Sequence, residues 1–285
     1  MEIKKSACYV VGTPIGNLDD CSYRMIETLK NVDFIAAEDT RVTVKLLNHF
    51  GIKKPMVSYF MHNEEHRGHE IIERIQAGES CALVSDAGMP VISDPGESLV
   101  ARCVKAGIEV FVVPGPTAVI SALVLSGIPA GRFTFEGFLA VNRRNRREHL
   151  ESLIRETRTM VFYEAPHKLR KTLRDMRDTF GGDRRIALAR ELTKLHEEVI
   201  RTTLEQAYKL YQSAEPRGEF VLVIEGAEKE AELEISIDEA VAAARAAMES
   251  GMSASEATKQ AVRGTGLAKS EVYRRAVEGQ LKMEN

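Results

Sequence analysis

Short apolar runs of β-type residues recur through the first part of the chain, at Ala7–Val11, Asp33–Ala37, Cys81–Ser85 and Glu109–Val113. Segments with helical spacing separate them: Tyr23–Asn31, Thr43–Phe50, Gly68–Ala77 and Ser98–Ala106. Gly78 and Gly107 follow the last two of these in helix-stop positions. A chain that alternates in this way has few options, because each crossover helix returns the next strand parallel to the last. The predicted result is an α/β domain with a largely parallel sheet. A second series of strand-like runs follows at Arg132–Phe138, Thr159–Tyr163, Arg185–Arg190 and Glu219–Glu225. Between the two series stand Pro114-Gly115-Pro116 and the apolar segment Ala118–Leu125, closed by Gly127 and Pro129. The domain boundary is placed there, giving two consecutive α/β domains at 1–118 and 119–228.

Beyond Gly226 the character changes. Ala227–Glu234 is polar, acidic and linker-like. Ser236-Ile237-Asp238-Glu239 and Ser253-Ala254-Ser255-Glu256 are capping-box patterns, each opening an Ala-rich helix. A third helix is expected at about Ala268–Gln280, after Gly264 and Gly266. This small helical domain, 236–285, resembles a helix-turn-helix. A ligand-sensing DNA-binding regulator is therefore a competing reading. It calls for a strongly basic third helix, and Lys269, Arg274 and Arg275 are offset there by Glu271 and Glu278.

Composition narrows the class. Hydrophobic residues are 44% and charged residues 28% of the 285, the proportions of a globular protein. No apolar run approaches the ~20 residues of a membrane helix. Met1–Lys5 has no secretory-signal pattern. Cys8, Cys21, Cys81 and Cys103 are scattered, without C-x-x-C spacing, and read as reduced thiols of a cytoplasmic protein. The net charge of −3 conceals an asymmetry. Arg132–Lys194 carries 16 Lys+Arg against 9 Asp+Glu, the remainder 23 against 33. The middle third is thus a candidate surface for an anionic partner.

Several stretches carry chemistry. Ser85–Gly96, SDAGMPVISDPG, packs two Gly, two Pro and two Asp into twelve residues directly after a strand. Gly88 allows a close backbone approach, while Pro90 and Pro95 pre-set the loop; Asp94-Pro95-Gly96 reads equally well as a turn entering a helix. Val10–Asn17 with Glu38-Asp39 about twenty residues on mimics a dinucleotide site, but the G-x-G-x-x-G spacing is missing and Pro14 removes an amide. His62-Asn63-Glu64-Glu65-His66 matches H-x-x-E-H, a zinc pattern when it lies on one helical face. A solvated polar segment accounts for it without a metal, and no metal is expected.

Eight stretches in order carry a resemblance: YVVGTPIGNLDD (9–20), AAEDTR (36–41), HNE (62–64), SDAGMPVISDPG (85–96), VPGPTA (113–118), EGFL (136–139), YEAPH (163–167) and ARELTK (189–194). Together they resemble the small-subunit ribosomal RNA 2′-O-ribose cytidine methylases of the tetrapyrrole-methylase superfamily, across residues 7–226. The resemblance implies a class III methyltransferase fold, S-adenosylmethionine in the cleft between two α/β domains, a 16S rRNA or 30S substrate and a homodimer. It assigns the cofactor to loops bearing Thr13, Pro14, Ser85, Asp86, Ala87, Gly88, Met89, Pro90 and Ile92. Pro114, Thr117 and Ala118 form the facing wall, and Tyr163, Glu164, Ala165 and Gly218 close the pocket. Superfamily relatives bear Gly-Asp-Pro where this chain has Gly88-Met89-Pro90.

Methyl transfer to a hydroxyl calls for alignment and a proton acceptor. Candidate bases or orienting groups are Glu38, Asp39, Glu191 and Lys194, the last only with a lowered pKa. Arg41, His167 and Arg190 are candidate phosphate contacts, and so are Arg143, Arg144, Arg146 and Arg147, four arginines within five residues. A corrin or porphyrin-precursor methylase of the same superfamily is the nearest alternative.

Overall fold

A computed structural model describes residues 3–228 and 235–280, with side chains through Val277. Most of the stretch read as a linker, and Met1-Glu2, lie outside these residues, as does the side chain of Glu278. The chain divides into two compact units, Met1–Ala227 and Glu228–Asn285.

The first sheet contains β1 (Ala7–Val11), β2 (Phe34–Ala37), β3 (Met56–Ser58), β4 (Cys81–Val84) and β5 (Glu109–Val113). Its strands are all parallel, in the order β3-β2-β4-β1-β5. The β1, β2 and β4 runs are buried on both faces, which is why they read as continuous apolar stretches. Alternate residues serve opposite layers. Tyr9, Ile35 and Ala82 pack with Met25, Leu29 and Leu47 of α1 (Tyr23–Asn31) and α2 (Thr40–His49). Cys8, Phe34 and Leu83 pack with Ile71, Ile75 and Leu99 of α3 (Glu64–Gln76) and α4 (Glu97–Lys105).

α2 begins at Thr40, earlier than the spacing predicts, because Asp39 caps it by accepting the Arg41 backbone N–H at 2.8 Å. α3 starts at Glu64, before the segment Gly68–Ala77 read from the sequence, and Gly68 within it lies against the Arg102 side chain of α4. β3 has no sequence counterpart above.

The second sheet is mixed: β6 (Phe133–Phe138), β7 (Thr159–Glu164), β10 (Phe220–Ile224), β8 (Arg185–Arg190) and β9 (Glu198–Thr203), in that order. Only β6 and β7 run parallel. α5 (Ala118–Ser126), capped by Thr117 and ended by left-handed Gly127, packs on one face through Val119, Ala122 and Leu123. On the other face lie α6 (Arg143–Ser152), α7 (Pro166–Phe180) and α8 (Leu204–Ser213), around Phe162, Leu188 and Leu222. The chain therefore changes sheets at Pro114–Thr117.

The C-terminal unit holds α9 (Ile237–Glu249), α10 (Ala254–Ala261) and α11 (Lys269–Gln280) around Ala240, Ala244, Val272 and Ala276. Ser236 and Glu239 complete both halves of a capping box, and Ser253 caps α10. Arg275 is paired with Glu271 and Asp238, which further weakens the DNA-binding reading.

Candidate active site

In open α/β sheets the loops after the strands build the ligand crevice. The loops after β1 and β4 are tied together here: the Thr13 N–H donates to the Gly88 carbonyl at 2.8 Å, and the Gly88 N–H returns to Thr13 at 3.1 Å. Gly88 sits at φ 84°, and an added Cβ would lie 3.3 Å from Ile15. The loops after β2 and β4 brace each other as well. The Asp86 N–H donates to Glu38 at 3.2 Å and the Asp39 N–H to Asp86 at 3.1 Å. Further along, Glu64 accepts the Gly96 N–H at 3.1 Å and the Ser98 hydroxyl at 2.9 Å. The HNE stretch thus braces the loop over residues 85–96. His62 lies in the turn before α3, so its imidazole shares no helical face with His66. Among the described residues no cluster of three His, Cys, Asp or Glu could hold a metal.

These loops face the second sheet across a cavity of about 720 Å³. Of the predicted cofactor residues, Asp86, Ala87, Gly88, Met89 and Ile92 line it, with Thr117 and Ala118 from the start of α5. Tyr163, Glu164 and Ala165 line it from the second sheet, but the Glu164 carboxylate is buried and held by the Thr172 hydroxyl and the Ala165 N–H. The others sit behind the wall. Thr13, Ser85 and Pro90 are buried supports, and Pro14 is not in the lining. Pro114 borders a separate hollow with Asp20, Ser121 and Thr193. At Gly218 an added Cβ would lie 2.4 Å from the Glu191 side chain, so the glycine makes room for Glu191.

The aromatic side of the cavity was missed from sequence. Phe133, Phe135 and Phe138 of β6 all line it, although simple alternation would turn Phe138 away. A β-bulge between Phe135 and Gly137, with Gly137 at φ 63°, inserts one residue and returns Phe138 to the same face. Tyr163 then stands between Phe135 and Phe138, at centroid distances of 5.0 and 5.4 Å. The signal was present in the spacing F-x-F-x-G-F.

The four candidate bases separate. Asp39 is a helix cap held by Arg41 and does not line the cavity; that contact draws its carboxyl down to about 2. Glu191 accepts the Glu219 N–H and the Lys194 ammonium, each at 3.0 Å, and is held below the usual carboxylate range. Burial alone would lower Lys194, but its bonds to Glu191 and Glu219 outweigh this and raise it. Lys194 is thus shifted the opposite way from the lowered pKa that a role as base calls for. Glu38 lines the cavity with its pKa raised by burial, against the pull of the Asp86 N–H. Asp94, which the sequence left between turn and site, also lines the cavity. Burial, then the Glu38 carboxylate, push it up to about 7.

The predicted RNA residues scatter. Arg143, Arg144 and Arg147 are exposed on α6, with Arg144 and Arg147 paired to Glu148 and Glu151. Arg146 is 4% exposed and bonded to Asp175 at 2.9 Å, which removes it as a surface contact. Arg41 is an exposed partner of Asp39, Arg190 is held by Glu198, and His167 lies exposed in the first turn of α7.

Residues 7–208 match the model of the tetrapyrrole (corrin/porphyrin) methylases, and the chain belongs to that family. Within it, the chain is 49% identical to the ribosomal RNA small subunit methyltransferase I of Synechocystis sp., over 88% of this chain and 90% of the relative. It is 49% identical to the protein of the same name from Thermotoga maritima, over 77% and 98%. Among solved structures, the methyltransferase CobJ superposes with a TM-score of 0.59 at 19% identity, covering 81% of this chain and 97% of that one. A uroporphyrin-III C-methyltransferase from Thermus thermophilus, complexed with S-adenosyl homocysteine, gives 0.54 at 18% identity, covering 77% and 97%.

The residues present fit S-adenosylmethionine. The cavity volume suits a ligand of that size. Its aromatic wall suits a heterocycle or a sulfonium, and the carboxylates of Glu38 and Asp86 suit the cationic groups.

Proposed function

We propose that the chain transfers a methyl group from S-adenosylmethionine to the ribose 2′-hydroxyl of a cytidine in small-subunit (16S) ribosomal RNA. The observation that carries this reading is the 49% identity to a ribosomal RNA small subunit methyltransferase I, spread over 88% of the chain. The cavity agrees with it. Bound there, S-adenosylmethionine supplies an electrophilic methyl on a sulfonium. The Asp86–Met89 backbone and the Phe135–Tyr163–Phe138 rungs hold the donor, and the apolar walls exclude water. The exposed arginines of α6 offer phosphate contacts.

A corrin or porphyrin precursor is less well served, because its carboxylates would meet Glu38, Asp86 and Asp94. Nucleoside mass spectrometry of small-subunit rRNA from cells with and without the protein tests the reading. Loss of one 2′-O-methylcytidine on deletion is expected, and unchanged rRNA sinks it. The enzyme is proposed to act in the cytoplasm, on free 16S rRNA or the 30S subunit, as a homodimer. Light scattering at micromolar concentration that returns a single 31.7 kDa chain would refute the dimer.

A further inference from the structure

We propose that Asp94 is the proton acceptor for the ribose hydroxyl whose oxygen receives the methyl group. The inference rests on the methyltransferase reading above and goes beyond it by assigning the base. Six carboxylates line the cavity: Glu38, Asp86, Asp94, Glu164, Glu191 and Glu219. Each of the other five accepts a backbone N–H or the Lys194 ammonium. Glu38 accepts the Asp86 N–H and Asp86 the Asp39 N–H. Glu164 holds the Thr172 hydroxyl and the Ala165 N–H, while Glu191 and Glu219 share the Lys194 ammonium. Among the described residues, Asp94 accepts neither a backbone N–H nor a cation, and its one polar contact is with the Ser85 side chain.

Its place in the fold suits the role. Val91 and Ser93 take left-handed backbone, at φ 80° and 67°, a conformation that non-glycine residues rarely adopt. The loop so turned reaches the second sheet: Ser93 Oγ lies 3.6 Å from the position of a Cβ on Gly137. Asp94 stands where the two halves meet, close enough to Tyr163 for its charge to act on the phenol. The ionisable groups around it are Glu38 from the end of β2, Asp86 from its own loop and Tyr163 from β7. All are acids, so none favours its ionised form, and an arriving proton is retained. A base with a proton affinity near the working pH is the one that transfers best.

The step balances with no further reagent. The bond between the 2′-oxygen and the methyl carbon forms as the sulfur–methyl bond breaks, its electron pair staying on sulfur. The hydroxyl proton passes to the Asp94 carboxylate and later to solvent.

The test compares the full-length wild type with Asp94→Asn and Asp94→Glu, in single-turnover methylation of 16S rRNA and 30S subunits across neutral pH. Asp94→Asn should slow transfer by ~100-fold or more, the usual contribution of general-base catalysis. Its S-adenosylmethionine affinity by calorimetry should be unchanged, and Asp94→Glu should recover part of the rate. The wild-type rate should fall on the acid side with one proton, and the Asn variant should lose that limb. In the ligand-free protein, a protonated-carboxyl infrared band should titrate near neutrality and be absent from Asp94→Asn. An Asn variant with wild-type rate, or with the acid limb intact, overturns the assignment. A rate loss explained by weakened cofactor affinity overturns it too, making Asp94 a cofactor ligand. A wild type that methylates neither RNA, with the infrared titration still present, overturns the substrate reading and this inference with it.

Discussion

Gly88 and Asp94 share one loop but differ in how strictly they bind the chemistry to the backbone. Gly88 is left-handed and already in near contact with Ile15, so a branched side chain meets both strain and a clash. Gly88→Val should abolish the rise in melting temperature that S-adenosylmethionine gives the wild type by mass action. A ligand-induced shift of wild-type size in the variant would show that the loop is not the cofactor cradle. Asp94 has the opposite stability sign from most carboxylates. Its folded pKa of about 7 exceeds its ordinary 3.8, so the folded state keeps a proton that the unfolded chain has released. The stability this gives is fully present below the unfolded value and is lost as pH rises through the folded one. Asp94→Asn should therefore melt above the wild type at about pH 8, with the gain fading toward about pH 4. A pH-independent difference between the two would remove the buried-carboxylate account.

Helix α6 carries two different kinds of arginine. Arg143, Arg144 and Arg147 are exposed, and their i,i+4 pairs with Glu148 and Glu151 are weak enough to be exchanged for phosphates. Replacing these three with Ala should lower the salt slope of RNA binding by up to about 2 units, at ~0.7 per single-stranded phosphate contact. Cofactor affinity should not move, since no α6 residue lines the cavity. Equal slopes for variant and wild type would assign the RNA elsewhere. Arg146 is structural: it is buried against Asp175. Arg146→Ala should depress stability by about 3 kcal/mol, the typical cost of breaking a buried pair, and should show as a lower melting temperature. A variant that melts with the wild type would contradict this.

Across the whole molecule, the cavity is lined by residues from Ile15 to Val221, all within the first compact unit. The C-terminal helices have their own core, closed by Ala240, Ala244, Val272 and Ala276. A chain ending at Ala227 should therefore unfold cooperatively and bind S-adenosylmethionine as the full-length protein does. Loss of binding in a truncated chain that still folds would show that the C-terminal unit contributes to the site.

The sequence by itself determined the parts whose physics is local or fully buried. Strands with both faces covered read as unbroken apolar runs, so β1, β2, β4, β7, β8 and β10 were legible. The capping box at Ser236 and the cap at Ser253 were legible because their partners lie three residues away, and the loop at 85–96 because its Pro and Gly content is itself local. β3 and β9 were not. β3 is a three-residue edge strand and β9, also at an edge, has no buried residue and carries Glu198 and Arg201 among its apolar residues, so neither presents a continuous apolar run. Tertiary structure alone decided which charged groups are free to act. Arg146 is paired by a residue 29 positions on, Lys194 by Glu219, and Asp94 is isolated among Glu38, Asp86 and Tyr163. Charge and proton affinity depend on neighbours brought together from distant positions in the chain, and no local pattern encodes them.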